Sequence, residues 1–238
     1  MTKRLIGLIL ATAPALAIAA GGGDLEAAQV RIGDRASLQR GATLFVNYCL
    51  GCHSLDYLRY SRVAEDLGLS EEQVTQNLNF GEARFGEPMG NAMDRDDGTA
   101  WFGAPPPDLS VVSRVRGSDW IFSYLKGFYI DESRPMGWNN TVFPSASMPH
   151  VLWELQGVQH AVEQGTAGGP PRLALVRPGR LGPAQYDQVA RDIAAFLQYA
   201  GEPAVLERRS VGVWVMLFLA VFTFLAWLLK KEYWRDVH

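Results

Sequence analysis

The chain has 238 residues, with 22 Lys and Arg against 25 Asp and Glu, a net charge of −3 and 48% hydrophobic residues. That balance argues against nucleic acid as a partner, and neither a phosphate-cradling glycine motif nor an internal repeat is present. There are only two cysteines, so any thiol chemistry is confined to one place.

At the N-terminus, Lys3 and Arg4 precede an apolar run from Leu5 to Leu16 and the small residues Ala17-Ile18-Ala19. This predicts a cleaved export signal over residues 1–19, too short to serve comfortably as a bilayer anchor. The domain that follows, residues 20–209, is expected on the far side of the membrane. Residues 21–210 hold 17 basic and 23 acidic side chains, a net of about −6, which suits a basic partner.

A helix capped by Ser37, with Leu38, Gly41, Ala42 and Phe45 on one face, is predicted to run into Cys49-Leu50-Gly51-Cys52-His53. C-x-x-C-H is the pattern of c-type haem attachment: two thiols reach the two porphyrin vinyl groups, and the adjacent histidine lies beneath the iron. The competing readings are a thioredoxin-type pair, half a zinc site or a disulfide. A redox pair does not need the histidine, and a zinc site lacks a fourth ligand at suitable spacing.

Gly81 to Pro107, rich in Gly, Pro, Asp and Asn, reads as loop, with Ala104-Pro105-Pro106-Pro107 extended. Helical stretches are expected over Asp119 to Tyr129 and His150 to Leu155, and Gly168-Gly169-Pro170-Pro171 with Arg177-Pro178-Gly179 reads as an inserted loop or hairpin. From Pro183, Tyr186, Val189, Ala190, Ile193, Phe196 and Leu197 recur at helical spacing until Gly201. Gly41 is expected to let an aromatic of this last helix approach its backbone. Two terminal helices crossing beside C-x-x-C-H resemble the layout of class I cytochromes c, giving a mainly α haem domain with loop insertions.

Val211 to Leu229 is free of charge over nineteen residues, matching the roughly 20 that span a bilayer as a helix. Trp214 and Trp227 sit near its ends, and Lys230 and Lys231 put the tail, residues 231–238, in the cytoplasm. A transmembrane anchor over residues 210–230 follows.

The sixth ligand of the iron must come from Met89, Met93, Met136, Met148, His150 or His160. A thioether raises the potential, which suits an electron carrier. Met148 is favoured because Phe143-Pro144-Ser145-Ala146-Ser147-Met148-Pro149 is a non-helical stretch stiffened by two prolines.

Several stretches together resemble one family, cytochrome c1. They are Cys49-Leu50-Gly51-Cys52-His53-Ser54-Leu55 with Arg59-Tyr60; Ala104-Pro105-Pro106-Pro107-Asp108-Leu109-Ser110; Arg114-Val115-Arg116 ahead of Asp119-Trp120; Phe143-Pro144 through Met148-Pro149; Tyr199-Ala200-Gly201-Glu202-Pro203; and Lys230-Lys231-Glu232-Tyr233-Trp234. The resemblance implies one covalently bound c-type haem (heme c) on Cys49 and Cys52, with His53 and Met148 as axial iron ligands. It also implies a haem-propionate contact from Arg116, for which Arg114 is the alternative. Pro106, Pro107 and Leu109 would line the pocket, and Trp120, Tyr124 and Leu125 would form another wall.

The function so implied is electron transfer within ubiquinol:cytochrome c reductase. One electron passes from the Rieske iron–sulfur protein to a cytochrome c, with cytochrome b as neighbour, in a dimeric complex of the bacterial inner membrane with its haem domain in the periplasm. The chain then supplies a redox centre and no substrate-binding catalytic site. Two rival classes are a free-standing tethered cytochrome c feeding an oxidase or reductase, and a haem enzyme such as a peroxidase with an open sixth position.

Overall fold

The computed structural model describes residues 25–81, 83–163 and 170–237; the expected export signal and the Gly168-Gly169 turn lie outside them. Helix α1 (Arg35–Tyr48) opens at Asp34, whose carboxylate accepts from the Ser37 amide at 3.1 Å. Ser37 is therefore not the cap. It lies inside the first turn, and its hydroxyl donates to buried Asp192 at 2.5 Å, a contact across 155 residues that local sequence does not reveal.

Strand β1 (Leu55–Arg59) leaves the C-x-x-C-H motif and pairs antiparallel, with a register shift, to β2 (Pro88–Met89). Helices α2 (Tyr60–Leu67) and α3 (Glu71–Asn77) lie between them; Ser70 and Gln73 cap the second reciprocally. The loop expected throughout 81–107 is corrected by α4 (Arg95–Phe102). Asp94 caps it by accepting from the Asp96 amide at 2.8 Å, Asp96 and Asp97 face the positive end of its dipole, and Gly103 closes it at φ +81°. These end effects outweigh a poor helical composition.

Two short helices, α5 (Val112–Arg116) and α6 (Ser118–Lys126), lead into β3 (Phe128–Ile130) and β4 (Trp138–Asn140). The helix expected to reach Tyr129 thus stops at Lys126, and Tyr129 pairs with Asn139 in a strand. Likewise the helix expected from His150 begins only at Trp153, as α7 (Trp153–Gln156). Strands β5 (Gly157–Glu163) and β6 (Arg172–Pro178) form the inserted hairpin, completing a sheet of order β4-β3-β5-β6 in which β3 and β5 run parallel. This small sheet is an addition to the helical layout read from sequence.

Helix α8 (Pro183–Gly201) crosses α1, as its periodicity predicts. At Gly41 a Cβ would stand 2.1 Å from the Asp192 carbonyl oxygen and 2.7 Å from the Phe196 Cβ, so only glycine permits this approach. The Phe45 and Phe196 rings meet 5.7 Å apart beyond it. Burying each such side chain contributes about 1.5–3 kcal/mol. Asp192, buried at the crossing, is satisfied by Ser37, by Arg40 Nε at 2.7 Å and by Gln188 Nε2 at 2.8 Å.

Helix α9 (Val205–Tyr233) contains an apolar span, Ser210–Tyr233, of 24 residues, none of whose most apolar window is buried against the chain. At 1.5 Å per residue it reaches about 36 Å, long enough to cross a bilayer, and it carries Lys230 and Lys231 within the helix rather than after it. Its start is tied to the domain through Glu202, which pairs with Arg208 and with Arg114 at 2.9 Å.

Candidate functional site

The last turn of α1 continues into the motif. Cys49 and Leu50 amides both donate to the Phe45 carbonyl, and the Cys52 and His53 amides to the Cys49 carbonyl, at 2.8 to 3.0 Å. This tight turn buries Cys49 and leaves Cys52 half-buried. Burial pushes the Cys49 thiol up to about 12, with the neighbouring Cys52 adding to it, and burial also raises Cys52. A thioredoxin-type pair needs a lowered thiol pKa, so the environment argues against that reading. Among the described residues no group of three or more His, Cys, Asp or Glu is placed to hold a metal ion, so Cys49, Cys52 and His53 do not converge as zinc ligands would.

The histidine is oriented from a distance. Its Nδ1 donates to the Pro107 carbonyl at 2.7 Å, and since a carbonyl only accepts, the proton sits on Nδ1 and Nε2 keeps its lone pair. Burial lowers the imidazole pKa, while the Pro107 bond and the Asp108 charge work against that. Asp108 fastens the same two segments: it accepts from Ser54 Oγ at 2.9 Å and the Asp56 amide at 2.8 Å, while the Leu109 amide donates to the Ser54 carbonyl at 2.9 Å. Pro106 packs toward Gly98 of α4. Asn91 Nδ2 donates to the Cys52 carbonyl at 2.7 Å, pinning the motif from the other side.

A second cluster forms on α6 and the segment after β4. Trp120 stacks on Tyr124 with centroids 4.9 Å apart, and Phe128 meets Tyr124 edge-on at 5.0 Å. Tyr124 Oη lies 3.5 Å from Met148 Sδ. Burial pushes that phenol up to about 12, so at neutral pH it is a donor aimed at the thioether. Arg116 lies over the rings of Trp120, at 5.3 Å, and Phe143, at 5.9 Å. Leu125 turns into the core, and its carbonyl accepts from Tyr186 Oη at 2.7 Å.

The other candidate ligands have different surroundings. Met89 is fully buried in β2, and His160 is exposed on β5. His150 is buried, stacked on Phe128 at 4.9 Å with Trp138 edge-on at 5.3 Å, and burial lowers its pKa to about 4 against an opposing effect of the Gln156 side chain. A cleft of about 610 Å³ lies beside the motif, lined by Val46, Leu50, Gly51, Tyr60, Phe80 and Asn91 among others; His53 and Met148 do not line it.

Two thiols at a helix end, an imidazole whose free nitrogen is set by Pro107, and a methionine beside a phenol are donors of the kind a covalent porphyrin takes. Sequence reasoning missed Asn91 and Asp108, which brace the motif and the segment after it. Asp108 alone had a local signal, the Asx turn in which its carboxylate accepts from the Ser110 amide at 2.9 Å. The carboxylates behind the domain's net negative charge differ in their surroundings. Asp66 is nearly buried against Arg62 and Tyr199, whereas Asp96 and Asp97 stay exposed at the start of α4.

Comparison with known proteins finds that the model of the Cytochrome C1 family matches residues 28–167 and 181–237. The cytochrome c1 of Allochromatium vinosum is 51% identical over 244 residues, covering 100% of both chains. A protein of Nitrosomonas europaea named ammonia monooxygenase gamma subunit is 43% identical, covering 90% of this chain and 89% of its own. The cytochrome c1 of Rhodospirillum rubrum is 30% identical, covering 86% and 83%.

Proposed function

The chain belongs to the cytochrome c1 family, and we propose from this membership and from the site that it relays single electrons within ubiquinol:cytochrome c reductase. It stands beside cytochrome b and the Rieske iron–sulfur protein, receives electrons from the latter and passes them to a cytochrome c. Quinol is oxidised elsewhere, in the cytochrome b subunit. The observation that carries the reading is the His53 to Pro107 bond, which presents Nε2 of a C-x-x-C-H histidine as a fixed neutral donor.

The family's cofactor, one covalently attached c-type haem, supplies one-electron chemistry when bound, its iron alternating between ferrous and ferric. Cys49 and Cys52 would attach it, and His53 and Met148 would be its axial ligands. With His53 and Met148 both holding the iron, the site would suit a carrier rather than a peroxidase. Pro106, Pro107 and Leu109 would line one wall and Trp120, Tyr124 and Leu125 another. Arg116 is the propionate partner of choice, because Arg114 is engaged by Glu202 at 2.9 Å.

Residues 1–19 would be removed on export, residues 20–209 would form the periplasmic haem domain, and α9 would cross the inner membrane with its lysines on the cytoplasmic side. The complex would be a dimer, as a symmetric assembly is the common arrangement.

The test is quinol-driven reduction in the detergent-solubilised complex. This haem should become reduced only while the iron–sulfur subunit is present. Undiminished reduction after its removal would overturn the relay, and a haem protein that migrates without cytochrome b in mild detergent would favour the free-standing carrier.

A further inference from the structure

The segment that presents Met148 has no helix or strand of its own between Thr141 and Met148, so its backbone amides need other partners. Main-chain carbonyls serve two of them, Gly127 for Thr141 at 3.0 Å and Phe143 for Ala146 at 3.3 Å, and two side chains of β4 serve Val142, Phe143 and Ser145. Asn140, 1% exposed, accepts through Oδ1 from the amides of Val142 at 2.9 Å and Phe143 at 3.2 Å. Asn139 accepts through Oδ1 from the amide of Ser145 at 2.8 Å. Ser145 stands at φ +66°, a left-handed conformation unfavourable for a residue with a Cβ, and Arg134 Nη2 holds its carbonyl at 3.2 Å.

The same carboxamides are tied to rigid structure. Asn140 Nδ2 donates to the Tyr124 carbonyl at 2.8 Å, at the end of α6. Asn139 Nδ2 donates to Asp131 at 2.7 Å, across the β3–β4 turn. A ring therefore closes: Tyr124 backbone to Asn140, Asn140 to Val142 and Phe143, along the loop to Met148, and from its Sδ back to the Tyr124 hydroxyl at 3.5 Å.

We propose that Asn139 and Asn140 are positioning residues for the sixth iron ligand, holding the 142–148 loop so that Met148 is kept in place while Tyr124 faces its sulfur. The inference rests on the reading of Met148 as that ligand. Two carboxamides, rather than main-chain pairing, decide how readily the methionine leaves. Loss of the Asn140 contacts leaves the part-buried Val142 and Phe143 amides without a partner, loss of the Asn139 contact frees the exposed turn at Ser145, and either raises the population in which the sulfur is displaced.

Carbon monoxide is the probe, because it binds ferrous haem only when the methionine is off and its apparent affinity scales with that population. It is titrated into the full-length, detergent-solubilised complex carrying Asn139→Ala, Asn140→Ala, Met148→Leu, or Asn139→Ala with Ser145→Gly. Either asparagine variant should keep its covalent haem and bind carbon monoxide roughly tenfold more tightly than the parent. Adding Ser145→Gly should recover most of the parent behaviour, since glycine adopts the left-handed conformation without help.

Should buried Asn140→Ala fail to acquire haem, the half-buried Asn139→Ala decides. An unchanged affinity in Asn139→Ala, beside a Met148→Leu protein that has lost its thioether-to-iron absorption band, would overturn the positioning role alone. A Met148→Leu protein with the parent spectrum would overturn the ligand assignment and the proposal together.

Discussion

His53 Nδ1 donates to the carbonyl of Pro107 at 2.7 Å, across 54 residues of chain. The contact joins the two stretches most distinctive in the sequence, the cysteine motif and the proline run, and fixes which imidazole nitrogen remains a donor to a metal. Asp108 backs it by gripping Ser54 and the Asp56 amide. The geometry of the attachment side is thus set by a loop remote in sequence.

Met148→Leu should retain covalently bound haem, lose the methionine-to-iron charge-transfer band and acquire carbon monoxide binding. Optical spectra of the purified variant check this. A parent spectrum would direct attention to half-buried Met136, since His150 is packed between Phe128 and Trp138.

Asp108→Asn should change acid stability. Burial alone would raise this carboxyl, but the Asp56 amide, the Ser110 hydroxyl and amide and the Ser54 hydroxyl together hold it below its ordinary value. Against an unfolded value of about 3.9, the stabilisation is complete above that pH and is lost as pH falls through the lower folded value. The thermal midpoint of the variant should therefore lie below the parent's at pH 6, and the gap should narrow at pH 3. A gap independent of pH would exclude the carboxylate as its source.

Gly41→Ala should be severely destabilising. The new methyl would meet backbone, the Asp192 carbonyl, rather than a movable side-chain tip. Overpacking of this kind costs about 1–3 kcal/mol, and more where neither helix can shift. Denaturant titration measures it, and a loss under about 0.5 kcal/mol would show that α1 and α8 separate easily.

Ending the chain after Arg209 should release a soluble, haem-loaded domain. The apolar window of α9 buries nothing against the rest of the chain, and the Arg114–Glu202–Arg208 joint survives the cut. Haem content of the exported truncation is the measurement; failure to incorporate haem would reveal a folding role for the anchor.

Reduction of a basic cytochrome c should slow as salt rises, because screening shortens the field of an acidic domain from about 30 Å at 0.01 M to about 8 Å at 0.15 M. Asp96→Lys with Asp97→Lys should flatten that dependence. Both sit in the first turn of α4, where a cation costs about 0.3–1 kcal/mol, so circular dichroism must accompany the stopped-flow rates. Rates level or rising with salt in the parent would defeat steering.

What the amino-acid sequence determined by itself was whatever depends on neighbours along the chain. Cys49, Cys52 and His53 are nearly contiguous, so one helix end delivers them together whatever else the fold does. The anchor is legible because a bilayer selects on composition and length, and α1 and α8 because an amphipathic stripe records a buried face. The tertiary structure decided everything set by partners far along the chain. Ser37 became an interior residue because Asp192 draws its hydroxyl inward, leaving the cap to Asp34. Arg114 went to Glu202 and left Arg116 on the aromatic wall. Strands β3 and β4, three residues each, are too short to show a period, so their pairing had to be seen. Asn139 and Asn140 look like ordinary turn residues until the loop they hold folds back over them, because a carboxamide has no preferred partner until tertiary contacts bring unpaired amides within reach.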